Sequence, residues 1–125
     1  MNIVDSSGWL EFFAAGPNAD AFAPIVQKTS ELIVPTLSLY EVFKRILQQK
    51  DEGQALRAIA IMMQATVVDL DTTTALSAAK ISASTKLPMA DSVMLATARA
   101  FRAILWTQDA DFKGLEGVRY IPLRK

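Results

Sequence analysis

The segment ILWTQD, residues 104–109, is a short apolar run that leads into an acidic residue. The start of the chain repeats this pattern in NIVD, residues 2–5, where an aspartate directly follows the apolar residues. Short runs that are rich in β-branched or aromatic residues and bounded by Asp, Pro or Thr are typical of buried strands. The two segments therefore predict two strands that each carry a carboxylate, Asp5 or Asp109, at the carboxyl end.

Further apolar runs follow along the chain and alternate with amphipathic stretches. The predicted strands are residues 2–4, 32–34, 66–70, 104–106 and 118–121. The predicted helices are residues 7–14, 19–29, 39–49, 54–65, 73–84 and 88–102. Strands joined by helices form a parallel α/β sheet with right-handed connections, and such sheets bind ligands outside the carboxyl ends of their strands. We therefore expect the functional site at that edge of the sheet.

The composition excludes many kinds of active site. The 125 residues include no His and no Cys, and 13 Lys and Arg balance 13 Asp and Glu. The chain therefore cannot supply an imidazole base, a thiol nucleophile, a disulfide or the Cys and His ligands of structural zinc. Carboxylates, hydroxyls, Lys and Arg remain for catalysis, and oxygen ligands favour hard ions such as Mg²⁺, Ca²⁺ or Mn²⁺.

Length and hydrophobic content predict a single globular domain over residues 1–125. Hydrophobic residues make up 51% of the chain, which is enough for a packed core. The first ten residues lack the features of a targeting signal, and the apolar run at residues 59–68 is too short to span a bilayer. We expect a cytoplasmic protein with no membrane partner. A net charge of zero argues against electrostatic binding of nucleic acid by the whole molecule but allows a local basic face.

Two more acids are expected beside Asp5 and Asp109. If the first and fourth strands are neighbours where the chain order reverses, Asp5 and Asp109 meet in one crevice. Glu41 and Asp91 lie in the first turns of helices that are predicted to begin on the same side of the sheet. Clustered carboxylates repel one another unless a cation neutralises them, so such a cluster indicates a metal site.

Each acid also has a purely structural interpretation. Residues 38–41, Ser-Leu-Tyr-Glu, match a capping box, in which Glu41 stabilises the start of its own helix. The helix dipole favours an acid at the position of Asp91, and Asp5 and Asp109 match ordinary helix caps or Asx turns. Both interpretations stay open at the level of sequence.

Four segments together resemble the motifs of PIN-domain ribonucleases. They are VDSS at residues 4–7, LYEV at 39–42, LPMAD at 87–91 and TQDADF at 107–112. Within that family the chain is most similar to the VapC toxins of bacterial and archaeal toxin–antitoxin pairs. The resemblance covers essentially the whole chain and keeps the order and spacing of the segments.

This resemblance implies a three-layer α/β/α fold with a central parallel five-stranded sheet. It also implies Mg²⁺- or Mn²⁺-dependent endoribonuclease activity on RNA, homodimerisation, and inhibition by a partner antitoxin. Two alternatives stay open beside it. One is a catalytically silent PIN module that binds RNA or protein, and the other is a nuclease that acts on another phosphoester.

The resemblance also assigns functional residues to this chain. The acids that fall on the catalytic and metal-binding positions of the family are Asp5, Glu41, Asp91 and Asp109. Ser6 and Thr107 fall on polar positions that support the site. Asp111 is a further candidate ligand, because either aspartate of the D-x-D-F stretch can face the metal, and Asp109 ranks before it.

Basic residues on the predicted helices offer a local contact for RNA. Lys44 and Arg45 lie on the third helix, and Arg99 lies on the last. Lys50 and Arg57 lie just beyond the third helix and on the fourth. Phosphate contact, above all by Lys44, Arg45 and Arg99, is one interpretation, and an ordinary solvated surface is the other.

Overall fold

The computed structural model describes residues 1–124, and Lys125, the last residue of the predicted domain, lies outside them. The strands are β1 (Asn2–Val4), β2 (Ile33–Pro35), β3 (Thr66–Val68), β4 (Ile104–Thr107) and β5 (Val118–Tyr120). The helices are α1 (Ser6–Phe13), α2 (Ala19–Gln27), α3 (Thr36–Gln49), α4 (Glu52–Met62), α5 (Thr72–Thr85) and α6 (Met89–Ala100). Short 3-10 turns at Thr29–Glu31 and Ala110–Phe112 precede β2 and β5. Within the described residues no helix is long and apolar enough to cross a membrane.

The strands form a parallel sheet in the order β3-β2-β1-β4-β5. Hydrogen bonding is continuous from β1 through β4 to β5 and, separately, from β2 to β3. A parallel bridge between Asn2 and Leu32 joins the two parts. In the β1–β4 pair, Asn2 lies opposite Ile104 and Val4 lies opposite Trp106. The predicted parallel sheet is confirmed, and the chain order reverses between β1 and β4.

Side chains from the strands contribute to a core on each face of the sheet. On one face Ile3 and Leu105 pack in a cluster with Leu95 of α6. On the other face Val4 packs in a cluster that draws on α1 to α4, with Trp9 as its largest buried side chain. Neighbouring residues of a strand enter different clusters because successive side chains point to opposite faces. The result is the predicted three-layer α/β/α arrangement.

Helix α3 begins three residues earlier than predicted, and the prediction of a capping box over residues 38–41 is wrong. The helix starts at Thr36, directly after the extended Pro35 (φ −65°, ψ 143°), and has no side-chain cap. Ser38 is fully buried, and its hydroxyl contacts a methionine sulfur of α6 at 3.5 Å. Glu41 therefore lies beyond the first turn, and its carboxylate is available for a contact outside the helix.

Gly8 allows α1 to pack closely against β1 and α2. A Cβ atom at this position would lie 2.5 Å from Val4 Cγ1 and 2.7 Å from Phe22 Cε1. Both neighbouring side chains are fully buried, so neither can move without disturbing a close-packed core. The same residue contacts the carboxyl edge of the sheet, because Gly8 N–H donates to Asp5 Oδ1 at 3.1 Å.

We expect Gly8→Ala to lower the free energy of unfolding by about 1–3 kcal/mol, because the added methyl group overpacks this contact. Gly53→Ala is the matched control, since Gly53 is exposed in α4 and its Cβ atom would approach Asp51 Oδ1 no closer than 3.4 Å. The control should gain roughly 0.5–1 kcal/mol through helix propensity. Urea unfolding measures both changes, and a Gly8→Ala protein as stable as wild type would contradict the packing argument.

Candidate metal centre

Two acidic residues lie close to the point where β1 and β4 end side by side. Asp5 and Asp109 follow these strands, and Asp5 N–H donates to the carbonyl oxygen of Trp106 at 3.1 Å. Because the strands are parallel, both acids lie at the carboxyl edge of the sheet, where the chain order reverses. The hydroxyl of Thr107 connects them, since Oγ1 accepts from Asp109 N–H at 2.9 Å and donates to Asp5 Oδ2 at 2.6 Å.

Asp5 is almost fully buried, and both of its carboxylate oxygens accept hydrogen bonds. Oδ1 accepts from the Ser7 hydroxyl at 2.7 Å and from Gly8 N–H at 3.1 Å, while Oδ2 accepts from Thr107. Burial outweighs these bonds and raises the pKa of Asp5 to about 6. Asp5 is the N-cap of α1, as its structural interpretation predicted. This role orients the carboxylate through neutral donors and brings no positive charge to it.

Three aspartates form the closest group of acids at this edge. Asp91, Asp109 and Asp111 each offer one carboxylate oxygen, and these oxygens all lie within 4.8 Å of one another. The first turn of α6 carries Asp91. Asp109 caps the 3-10 turn that follows β4, because its Oδ1 accepts from Asp111 N–H at 2.9 Å. Asp109 and Asp111 therefore both belong to the group.

Asp91 lies in the field of all the other predicted acids. Burial is the largest cause that raises its pKa to about 7, followed by the charges of Asp109, Asp5, Glu41 and Asp111. Like charges that lie close together disfavour one another's ionisation. Acids from four separate parts of the chain thus share one electrostatic site.

Glu41 bonds to the first helix rather than to its own. The Ser6 hydroxyl donates to Glu41 Oε1 at 2.7 Å, across 35 positions of sequence. Glu41 and Asp5 lie outside the closest group of three, yet both contribute to the raised pKa of Asp91. The two predicted supporting residues thus each bond to an acid, Ser6 to Glu41 and Thr107 to Asp5.

Two residues that the sequence analysis missed also support this edge. Ser7 donates to Asp5 and accepts from the backbone N–H of Gln108 at 3.3 Å, so it connects α1 to the segment after β4. Asn18 is buried, and its Nδ2 donates to Gln108 Oε1 at 3.1 Å and to the carbonyl oxygen of Pro122 at 2.9 Å. The sequence offered one signal for Ser7, because it lies two residues after Asp5, a predicted helix cap, and is close enough to donate to it. Asn18 offered no signal, because these partners lie 90 and 104 positions away.

The three predicted RNA-contacting residues have different surroundings. Arg45 lines a cleft between α1, α3 and α4 that adjoins the acidic edge. Lys44 lines a separate hollow, where its Nζ lies 5.7 Å from the centroid of the Tyr40 ring. Arg99 donates to a backbone carbonyl in the loop before β5 at 3.3 Å. Of the three, only Arg45 lines the cleft beside the acids.

The donor set fits a hard divalent cation. All of the candidate ligands are carboxylate oxygens. Among residues 1–124, no Lys or Arg forms an ion pair with any of the five acids. A cation at the group of three would therefore relieve repulsion that no side chain relieves. Mg²⁺ and Mn²⁺ both suit an all-oxygen site.

The PIN-domain family model matches residues 3–118, a range that contains all five acids. The chain belongs to the PIN-domain family. A comparison with curated proteins gives no match. The order of the PIN strands places the acids of this chain at the carboxyl edge, where open α/β sheets bind their ligands.

Solved structures share this PIN fold at low sequence identity. A chain of the toxin–antitoxin complex from Klebsiella pneumoniae has a TM-score of 0.81 and 18% identity, and the match covers 98% of this chain and 100% of that one. Mycobacterium tuberculosis VapC20, described as a sarcin–ricin loop cleaving toxin, has a TM-score of 0.75 and 16% identity over 100% of both chains. Rickettsia felis VapBC2, solved with a promoter DNA fragment, has a TM-score of 0.74 and 12% identity over 97% of both. At these identities the likeness establishes the fold.

The raised pKa values make the stability of the metal-free protein depend on pH. Asp5 and Asp91 bind a proton more tightly in the folded state than in the unfolded chain, so their contribution to stability is lost as pH rises through about 6 and about 7. With EDTA, we expect the melting temperature to fall between about pH 5 and about pH 8. Mg²⁺ should restore it most at the upper end, where the acids are ionised.

Thermal melts followed by circular dichroism test this expectation, with Asp91→Asn as the comparison. The variant cannot ionise at position 91, so its melting temperature should fall less over the same range. If the metal-free wild type melted at the same temperature throughout, the raised pKa values of Asp5 and Asp91 would be contradicted.

Proposed function

We propose that this PIN domain is a metal-dependent endoribonuclease and the toxin of a toxin–antitoxin pair. The observation that carries the proposal is the convergence of five acids at the carboxyl edge of the sheet. Family membership supports the nuclease class. The toxin role is supported by relatives of the same fold whose descriptions name toxins.

In this proposal the residues that bind Mg²⁺ or Mn²⁺, and through it act in catalysis, are Asp5, Glu41, Asp91, Asp109 and Asp111. Thr107 and Ser7 hold the Asp5 carboxylate in one orientation, and Ser6 holds Glu41. These hydroxyl donors position the acids without neutralising them. When bound, the cation lowers the pKa of a water molecule and neutralises charge on the phosphoryl oxygens.

The reaction adds water across an RNA phosphodiester. The water oxygen bonds to phosphorus, the bond from phosphorus to the 3′ oxygen breaks, and the leaving oxygen takes a proton. The chain has no His that could act as an imidazole base. In this proposal the acids and a bound cation would activate the water instead. The products are a 5′-phosphate and a 3′-hydroxyl. A 2′,3′-cyclic phosphate would show attack by the ribose hydroxyl and overturn this step.

Two protein partners belong to the proposal. A cognate antitoxin keeps the nuclease silent, and a second copy of the chain forms a homodimer. A structure of this fold is described as a toxin–antitoxin complex, which supports the first. Large apolar side chains are exposed on the helices, Tyr40 at 60%, Leu76 at 63% and Met89 at 76%, and are available for such contacts.

We also place the protein in the cytoplasm as one domain over residues 1–125.

We expect the purified chain to form a homodimer, because exposed apolar side chains on its helices gain by burial against a second copy. Sedimentation equilibrium should give twice the mass of one chain at micromolar concentration. A single-chain mass at every concentration tested would remove the homodimer from the proposal and leave the nuclease unaffected.

We expect the protein, freed of any antitoxin, to cleave total cellular RNA with Mg²⁺ or Mn²⁺ and not with EDTA. Asp91→Asn and Glu41→Gln should each lower the cleavage rate at least about 100-fold, because each removes a negative charge while keeping the shape of the side chain. Gln at position 41 can still accept the hydrogen bond from Ser6, so Glu41→Gln tests the charge alone.

Asp20→Asn and Glu52→Gln are the matched controls. Both residues are exposed first-turn acids, of α2 and α4, and both variants should cleave like wild type. Equal cleavage by Asp91→Asn and wild type would leave Asp91 with a helix-dipole role alone. A folded wild type that cleaves nothing would favour the silent PIN module. Cleavage of a different phosphoester would favour the alternative of a nuclease with another substrate.

A further inference from the structure

A cleft opens beside the acidic edge, between α1, α3 and α4. Its volume is about 560 Å³, and Ser7 and Gln108 lie in its lining. Ser7 donates to the Asp5 carboxylate, and Gln108 directly precedes Asp109. The cleft therefore adjoins the acidic edge through these two residues. A chain molecule with one group at the acids can therefore place the next group in the cleft.

The charge of this cleft is opposite to that of the acidic edge. Arg45, Lys50 and Arg57 line it, from α3, the residue after α3, and α4. Among the described residues that line it, Glu11 is the only acid, and its Oε2 already accepts from Asn18 N–H at 2.8 Å. The lining therefore carries an excess of positive charge beside a strongly negative site.

The rest of the lining is apolar or amide. Its apolar residues are Leu10, Phe13, Ala14, Ile46, Ala58 and Ile61. Phe13 is half-buried and stacks on Trp9, with ring centroids 5.6 Å apart, so its ring is held in place at the cleft wall. Gln49, Gln54 and Gln108 add amide groups that both donate and accept hydrogen bonds.

This combination matches the way in which proteins hold single-stranded nucleic acid. Cationic side chains follow the phosphates, aromatic and apolar surfaces cover the bases, and strand affinity depends on both. Ser7 and Gln108 belong both to the cleft lining and to the acidic edge, and this continuity favours a strand over an unrelated ligand.

We propose that the cleft between α1, α3 and α4 holds the nucleotide next to the scissile phosphate of a single RNA strand. Arg45 and Arg57 contact its phosphates, and the apolar wall around Phe13 and Ile61 covers its base. The inference rests on the proposed nuclease function and adds to it the part of the surface that selects the neighbouring nucleotide.

The test measures binding of a fluorescent single-stranded RNA in EDTA, where nothing is cleaved, over a series of salt concentrations. Arg45→Ala and Arg57→Ala should each weaken binding and lower the slope of log affinity against log salt by about 0.7, the value for one lost phosphate contact on a single strand. Lys80→Ala, an exposed cation on α5 across the sheet, is the control and should leave affinity and slope unchanged.

Ile61→Ala separates the apolar contact from the ionic one. Ile61 is 43% exposed, so its truncation leaves the core intact. We expect weaker binding with an unchanged salt slope. Thermal melts of each variant confirm that the protein remains folded.

Three outcomes would overturn the inference. If both arginine variants bind and cleave like wild type, the cleft does not hold the strand, and a protein occupant is the remaining interpretation. If Lys44→Ala lowers the slope as much as Arg45→Ala, a broad face of α3 binds RNA rather than the cleft. If a wild-type protein that cleaves RNA binds the strand with no salt dependence, phosphates are not contacted. A wild type that neither binds nor cleaves RNA instead counts against the proposed function.

Discussion

The parallel pairing of β1 with β4 is the contact on which the site depends. It sets two strand ends side by side, so Asp5 and Asp109 emerge at the same edge. One hydroxyl, that of Thr107, then bonds to both residues. The register is strongly specified, because a shift of one residue would turn Ile3 or Leu105 out of the core. The packing of the sheet and the placement of the acids therefore have one cause.

The acidic edge concentrates negative charge that no Lys or Arg among residues 1–124 neutralises in an ion pair. Burial and neighbouring acids raise the pKa of Asp91 to about 7, and burial raises that of Asp5 to about 6. The donors that hold Asp5 and Glu41 are neutral hydroxyl and backbone N–H groups. Such donors orient a carboxylate but leave its charge for a cation, which is what a metal site requires.

Structural and chemical roles coincide in the same side chains. Asp5 caps α1 and Asp109 caps a 3-10 turn, yet both remain at the shared edge. The sequence left open whether these acids cap helices or bind a metal. Their positions show that a capping role does not argue against metal binding. Glu41 differs, because the capping box is absent and its hydrogen bond comes from Ser6, 35 positions away. Its placement beside the other acids has no local structural explanation.

The strands, their parallel arrangement and the acids at their ends were readable from the sequence, because apolar runs and the residues that bound them are local features. The lack of His and Cys already restricted the site to oxygen ligands. Tertiary structure alone showed that Ser7 accepts from the backbone N–H of Gln108, that Asn18 supports the site, and that Arg45, rather than Lys44, lines the cleft beside it. These facts depend on distances between residues far apart in the chain, and a local pattern carries no information about such distances.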